Sequence, residues 1–453
     1  MILKKFDDIF LPIINVWNKI SYKNIDAKNK LNIILNNRKL IHNFDNDIDD
    51  AFLHAICHYY ENINLFCVFG KNKENSYKYY VENYSSDYSL YGIKSIKIKS
   101  SLIIKVLYQL LFSRMIIKSK NDFCDYLKHE YPFLYNYEGT LIDITILIVC
   151  KKDLNKKYPN TDIKKSDFCI FIPNTKESIW NSACLFFSES SIHFLEKQNL
   201  DYFLTKDMEK SKKYFLKYRN WLNENVDETN MSQFMLYSST VLYLLGHRNM
   251  NDLDLYIHNI PDELIEQTKE FKNEEYKFIE YHIKNTELWP KYWDTWLDEW
   301  AKLCGAKYFE EILGNPKYHF YFLGVKIISL DCDIVRRIKR NRPRAIADLI
   351  ALRKRYNLNI NIPSIPEKTL KYESSSDKSE DEINNLVNKG AVLNKENNEI
   401  VIEYNTDVNK FIDTVIYALK LNYKMDFTID DIKRELNMLS TVKKIMNSNI
   451  VKK

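Results

Sequence analysis

The stretch that decides the fold is Tyr237-Ser-Ser-Thr-Val-Leu-Tyr-Leu-Leu-Gly-His-Arg-Asn-Met-Asn-Asp-Leu-Asp-Leu-Tyr-Ile257. It contains Asp252 and Asp254, one residue apart in an apolar segment. Residues two apart in a β-strand point to the same face of the sheet, so we predict a strand whose two carboxylates project together while Leu253 and Leu255 face the core. Two carboxylates this close repel each other unless a cation neutralises them. Mg²⁺ fits, because it binds one or two protein carboxylates and completes its shell with water and substrate phosphates.

A helix is predicted in front of this strand. Apolar residues at helical spacing cover one face of residues 239–247. The helix opens at Ser238-Ser239-Thr240, and hydroxyls with free backbone N–H groups at a helix N-terminus can bind phosphate. Residues 246–251 then form a turn, so the predicted order is phosphate site, helix, turn and carboxylate strand.

A second block, residues 324–349, ends in Arg342-Pro-Arg-Ala-Ile-Ala-Asp-Leu349. Together the two blocks resemble the nucleotidyltransferase superfamily, to which DNA polymerase β and poly(A) polymerases belong. In that family a glycine-containing pair opens the helix, and Ser238-Ser239 stands in its place. The second block is similar to the strand and helix that close the catalytic domain of minimal and toxin-linked members, with Ala345 in place of an aspartate. The resemblance covers residues 206–356.

The resemblance implies a set of site residues. Asp252 and Asp254 would be the catalytic carboxylates and would hold Mg²⁺ or Mn²⁺ against the α-phosphate of a nucleoside triphosphate. Phosphate binding is implied for Ser238, Ser239, Arg248, Arg337 and Arg342.

The family also uses a third carboxylate as general base, and the sequence assigns none. It should lie on a strand between the two blocks, but residues 317–328, which predict one or two strands, contain neither Asp nor Glu. Asp331 and Asp333 follow, where they suit the first turn of a helix. His319 is an alternative base, although a lone histidine in an aromatic strand is more often structural. A catalytically inactive protein therefore stays open.

With 453 residues, the chain should hold two or three domains. We predict an α/β (α+β) protein whose nucleotidyltransferase domain, residues 206–356, has a small mixed sheet with flanking helices. An accessory α/β domain is predicted for residues 1–205, a flexible linker for 357–398 and a short α+β tail for 399–453. Within these regions, strands are predicted at 64–70, 140–151, 168–173 and 399–404, and helices at 51–62, 101–117, 208–228, 287–300, 408–421 and 429–446.

The composition predicts a soluble cytoplasmic protein. None of the eight cysteines forms a Cys-x-x-Cys motif, which favours a reducing compartment over a zinc ribbon or a disulfide framework. Neither a signal peptide nor an apolar run long enough to span a membrane is evident. The chain is rich in Lys, Asn, Ile and Tyr and has only 8 glycines, a bias typical of AT-rich genomes. In this bias and its architecture it resembles the nucleotidyltransferase-like proteins of large DNA viruses of amoebae, which implies a host cytoplasm or a virion.

Basic residues concentrate in one segment. Residues 336–355 hold nine basic side chains and one acidic one, and the whole chain has a net charge of +5. Such a patch can hold a triphosphate or a nucleic-acid backbone, so an RNA 3′ end is one predicted acceptor. Transfer of the nucleotide to a protein or a small molecule, and a non-catalytic binding or structural role, remain alternatives.

Overall fold

The computed structural model shows a mixed α/β protein. It describes residues 42–43, 53, 63–70, 79, 82–114, 119–153, 155–159, 162–204, 208–226, 233–250, 252–258, 279–284, 291–360, 362–363, 368–374, 379–388, 391–394 and 399–436. The helix predicted for residues 51–62 lies outside these residues except at Leu53. Within the described ranges, no helix combines the length and the apolar character that crossing a membrane requires.

The chain divides into two compact units. The first comprises Met1–Trp289 with Leu297–Asp333, and the second comprises Pro290–Trp296 with Ile334–Lys453. The domain boundaries expected near residues 205 and 356 stay predictions.

The first unit contains a six-stranded sheet. Its strands are β1 (His42–Asn43), β2 (Ile63–Gly70), β3 (Tyr88–Lys99), β4 (Leu141–Lys151), β5 (Ile163–Lys164) and β6 (Phe168–Phe171), in the order β1-β3-β4-β2-β6-β5. Strand β4 is buried from Ile144 to Cys150, because its apolar run places side chains that avoid water on both faces of the sheet. The strands predicted at residues 64–70, 140–151 and 168–173 are confirmed as β2, β4 and β6.

Helices accompany this sheet. They are α1 (Ile103–Leu111), α2 (Lys120–Glu130), α3 (Pro132–Tyr135), α4 (Lys176–Phe186), α5 (Glu189–Lys197) and α6 (Leu200–Phe203). The helix predicted at residues 101–117 is confirmed only as the shorter α1.

A second sheet of the first unit is small and mixed. Its strands are β7 (Phe234–Tyr237), β8 (Leu253–His258), β9 (Ile279–Lys284), β10 (His319–Phe322) and β11 (Val325–Ile328), in the order β10-β11-β7-β8-β9. Strand β8 pairs antiparallel with β7 and parallel with β9, and β11 pairs parallel with β7. Four helices follow the same stretch of chain: α7 (Glu209–Asn225), α8 (Ser239–Leu244), α9 (Lys291–Leu303) and α10 (Phe309–Gly314).

The hairpin β10–β11 confirms the strands predicted at residues 317–328. Its two turn residues, Leu323 and Gly324, have φ of 51° and 76°, as a tight turn between twisted strands requires. A Cβ atom at Gly324 would lie 2.6 Å from the ring of Trp180, so this position accepts only glycine without rearrangement.

The second unit combines helices with a three-stranded sheet. It contains most of α11 (Leu330–Arg340), then α12 (Pro343–Tyr356), β12 (Lys368–Ser374), α13 (Glu380–Asn388), β13 (Val392–Asn394), β14 (Glu399–Asn405), α14 (Val408–Tyr423) and helical residues 429–436. The strand and helix predicted at 399–404 and 408–421 are confirmed as β14 and α14.

The segment predicted as a linker, residues 357–398, instead contains regular structure. Strand β12 pairs with β14 over seven residues, and α13 follows it. Ile383 and Leu386 of α13 pack against Ile400 and Ile402, which are buried. The low apolar content of this segment concealed a small core, because few apolar residues are enough to anchor one helix on three strands.

Candidate functional site

The carboxylate strand has the predicted alternation. Leu253 and Leu255 are fully buried, whereas Asp252 and Asp254 are half-buried. The strand β8 begins at Leu253, so Asp252 immediately precedes it instead of lying within it. Both carboxylates thus belong to the N-terminal end of β8.

The turn after β7 has an unusual backbone. Ser238 has φ 63° and ψ −120°, a conformation that favours glycine. In a non-glycine residue such a conformation costs on the order of 1–3 kcal/mol. The resemblance expects a glycine-containing pair at this position, and the serine keeps the backbone shape that a glycine would adopt. The sequence alone did not indicate this strain.

Hydrogen bonds and strand register bring four predicted site residues together. The hydroxyl of Ser239 donates to the backbone carbonyl of Asp252 at 3.1 Å. In the antiparallel pairing of β7 with β8, Tyr237 is the partner of Asp254. The turn at Ser238 and Ser239 therefore lies beside the start of β8, where the two carboxylates are.

The helix α8 is shorter than predicted. It ends at Leu244 because Gly246 adopts φ 73°. The N–H of His247 bonds to the carbonyl of Leu242, and that of Gly246 to the carbonyl of Tyr243, which is the usual pair of bonds at a glycine-terminated helix. This short helix returns the chain quickly to β8.

The loop from α8 to β8 is fixed to helix α7. The Ser211 hydroxyl donates to the Asn249 side chain at 2.7 Å and accepts from the backbone N–H of Met250 at 3.0 Å. Arg248 is half-buried in this loop, and its guanidinium donates to the carbonyl of Asn249 at 2.9 Å. The predicted phosphate ligand therefore lies on an anchored loop.

The parallel strand β9 introduces a carboxylate residue that the sequence prediction missed. The backbone register pairs Leu253 with Ile279 and Asp254 with Glu280. Residues 317–328, where the sequence places the strand expected to carry a third carboxylate, form β10 and β11 on the other side of β7. The alternation Ile279-Glu-Tyr-His-Ile-Lys284 was the available signal, but it is short and surrounded by charged sequence.

The residue types at this end of the sheet fit a hard divalent cation. Asp252 and Asp254 offer oxygen ligands, and Mg²⁺ needs only one or two protein carboxylates. Among the residues that the structure describes, no group of three or more His, Cys, Asp or Glu could hold a metal ion.

Aromatic rings lie on the Asp254 side of β8. The rings of Tyr237 and Tyr256 stack with their centroids 4.0 Å apart. The ring of Tyr256 also stacks on that of Trp300 in α9, with a centroid distance of 6.2 Å. All three are buried. Rings packed in this way give the carboxylate strand a rigid apolar support.

The arginines of the second block have other surroundings. Arg337 is buried, and its guanidinium bonds to the equally buried carboxylate of Asp348, which also accepts from the Tyr423 hydroxyl. Arg342 is exposed and precedes the first residue of α12. Both belong to the second unit, and their role in phosphate binding stays a prediction.

Several other members of the basic segment are engaged within the second unit. Arg353 and Lys354 both form ion pairs with Glu435. Lys339 and Arg340 lie over the ring of Trp296, at 5.2 and 5.9 Å from its centroid. Much of the segment's charge thus serves contacts inside the unit.

His319 occupies a structural position. It is fully buried, and its Nδ1 lies 3.0 Å from the carbonyl of Ile312. This environment is typical of a histidine with a structural role.

No protein-family model, curated protein or solved structure matches the chain. What the protein does must therefore follow from its own residues and their geometry.

Proposed function

We propose that the chain is a metal-dependent nucleotidyltransferase, which moves a nucleoside monophosphate from a nucleoside triphosphate to an acceptor hydroxyl. The observation that carries this proposal is the convergence of the strained turn at Ser238 and Ser239 with Asp252 and Asp254 at one end of β8. The order of strand, turn, helix and carboxylate strand supports a nucleotidyltransferase arrangement of the mixed sheet.

The proposal gives each residue a chemical task. Asp252 and Asp254 would hold Mg²⁺ or Mn²⁺, which when bound stabilises charge on the attacking and leaving oxygens. The turn at Ser238 and Ser239 would hold the phosphates, and Arg248 would offset their charge. Glu280, the register partner of Asp254, would accept the proton of the acceptor hydroxyl. The hydroxyl oxygen bonds to the α-phosphorus, and pyrophosphate leaves.

An RNA 3′ end is the acceptor that we favour. The net charge is +5, and the basic segment includes Arg342 and Arg344, which are exposed. Contacts of this kind with a phosphate backbone make affinity fall steeply as salt rises. Binding of a labelled oligoadenylate should therefore weaken sharply between low and high salt.

The test is incorporation of labelled ATP, CTP, GTP and UTP into an oligoadenylate primer with Mg²⁺ or Mn²⁺. Asp252→Asn and Asp254→Asn should abolish incorporation. Glu280→Gln should lower the rate by about 10²–10⁴-fold, the usual contribution of a general base. Asp125→Asn is the matched control, because Asp125 is an exposed carboxylate on α2 and should be neutral.

Other outcomes would redirect or end the proposal. Label on protein instead of RNA, lost in the same variants, would keep the transferase and change its acceptor. Neither incorporation nor triphosphate binding in the wild-type chain would end the enzyme proposal. Equal activity in wild type and Asp254→Asn would show that the carboxylate strand is not the active site.

A further inference from the structure

A pair of thiols lies away from the carboxylate site. The described residues include seven free cysteines, of which Cys304 and Cys332 are hydrogen-bonded to each other through their side chains. Both belong to the first unit. Cys304 follows the last residue of α9, and Cys332 is in the first turn of α11.

Backbone contacts fix the Cys304 side of the pair. The N–H of Gly305 bonds to the carbonyl of Lys302, and that of Ala306 to the carbonyl of Ala301, so α9 ends in a glycine-terminated turn. Gly305 has φ 86°, which favours glycine. The Tyr318 hydroxyl donates to the carbonyl of Gly305 at 2.8 Å. These bonds hold the backbone that carries Cys304 in place.

The Cys332 side is fixed as well. Its backbone N–H donates to the Ser329 hydroxyl at 3.3 Å. Its carbonyl accepts from the indole N–H of Trp300 at 3.1 Å, a bond that joins α9 to α11. Both cysteines are thus bonded through their backbones to Trp300, since the N–H of Cys304 also bonds to the Trp300 carbonyl at 3.1 Å. A disulfide, whose geometry is short and specific, would replace the hydrogen bond between their thiols.

We infer that Cys304 and Cys332 form a reversible disulfide under peroxide, and that this bond alters the carboxylate strand through the aromatic rings beneath it. Peroxide oxygen is transferred to the half-exposed Cys304 thiol, giving a sulfenic acid and one water. The Cys332 sulfur then attacks the oxidised sulfur, and a second water leaves. Two thiols and one peroxide thus give one disulfide and two waters, and a dithiol reductant restores the thiols.

The chemistry of the pair differs from that of the other buried cysteines. Hydrogen bonds from Cys304 and Ser329 lower the pKa of Cys332, whereas burial raises the pKa of Cys67 and Cys150. The hydrogen bond with Cys332 raises the pKa of Cys304. The two thiols therefore titrate as a pair. The greater exposure of the Cys304 thiol makes it the one that meets peroxide first.

Three rings connect the thiol pair to the carboxylate strand. Trp300 donates to the carbonyl of Cys332 and contacts Tyr256 of β8. Tyr256 stacks on Tyr237, whose register partner is Asp254. A disulfide between the end of α9 and the start of α11 restrains Trp300 against Tyr256. The backbone hydrogen bonds of β8 should therefore open less often.

The experiment uses the full chain and needs no catalytic activity. Reduced protein is treated with hydrogen peroxide, the remaining thiols are alkylated, and peptides are mapped without reductant. We expect a linked peptide that contains Cys304 and Cys332 and disappears with dithiothreitol. Cys304→Ser and Cys332→Ser should lack it. Cys124→Ser should retain it. Among the described cysteines, Cys124 is the other half-exposed thiol, so this variant is the matched control.

The effect on the strand is measured by hydrogen exchange of the peptide that covers β8. Amide exchange should slow by about fivefold or more in the oxidised wild type, the lower end of usual coupling between sites, and stay unchanged in peroxide-treated Cys304→Ser. Free Cys304 and Cys332 after peroxide treatment that oxidises Cys124 would overturn the disulfide. A linked peptide with unchanged exchange in β8 would overturn its transmission to the strand.

Discussion

Two polar regions predicted from the sequence to face a triphosphate differ in how the fold uses them. Around β8, Asp252 and Asp254 remain half-buried at the start of a strand. In the second unit, Arg337 and Asp348 each expose 4% of their side chains and bond to each other. The first region keeps polar groups at the surface, and the second uses them inside the structure.

The difference shows what a basic run in a sequence can mean. A charge that is almost fully buried is stable only with a partner, because its desolvation costs several kcal/mol. Arg337 has such a partner in Asp348, so its charge supports the packing of the second unit. Asp254 is instead half-buried, and within the described residues its carboxylate forms neither a hydrogen bond nor an ion pair, so it contributes little to the fold. Loss of a charge should therefore lower the free energy of unfolding much more in the second region than in the first.

The largest effect is expected for Asp348→Asn. This change leaves the buried guanidinium of Arg337 without its counter-charge, and removing one member of a buried pair costs about 3–5 kcal/mol. Denaturation by urea should show this loss. Asp413→Asn, an exposed carboxylate on α14, is the control and should stay within about 0.5 kcal/mol of wild type. Unchanged stability of Asp348→Asn would mean that the buried pair does not support the fold.

The next effect concerns the strained turn. Ser238→Ala and Ser238→Gly both remove the hydroxyl, but only glycine relieves the positive φ of 63°. The glycine variant should therefore be more stable than the alanine variant by about 1–3 kcal/mol, as measured by the free energy of unfolding. Equal stabilities would show that the turn is not strained, and would remove one support for the proposed phosphate site.

Much of the first region could be predicted from the sequence. Leu253 and Leu255 alternate with Asp252 and Asp254, and this period of two requires a strand with one buried face. The helix before it ends at Leu244, three residues before the predicted end at residue 247, because Gly246 adopts a positive φ that terminates it.

The features that the sequence does not predict depend on contacts between residues that are far apart in the chain. Nothing in the sequence pairs Asp254 with Glu280, since strand register follows from the packing of the whole sheet. The ion pair of Arg337 with Asp348 joins two helices across the sharp turn at Asn341, which has φ 43°. Local sequence patterns predict helices and strands well, but they do not indicate which charged residues will pair in the interior.

A smaller effect is expected for Ser239→Ala. Its hydroxyl donates to the carbonyl of Asp252 at 3.1 Å, and loss of one such bond costs about 0.5–1.5 kcal/mol. Ser190→Ala is the control, because its hydroxyl reaches the carbonyl of Lys317 only at 3.5 Å. A thermal melt separates the two variants, and a smaller loss for Ser239→Ala than for Ser190→Ala would contradict the role of this bond in joining turn and strand.

The smallest effect on stability is expected for Asp254→Asn without metal. Within the described residues, the Asp254 carboxylate has neither a hydrogen bond nor an ion pair, so the free energy of unfolding should change by less than about 0.5 kcal/mol. Added Mn²⁺ should then separate the proteins. A ligand that binds only the folded state adds about 2.7 kcal/mol at a hundred times its dissociation constant, so wild type should melt higher with Mn²⁺ while Asp254→Asn should not. A large loss of stability without metal would instead mean that Asp254 supports the fold as Asp348 does, and the two regions would then not differ.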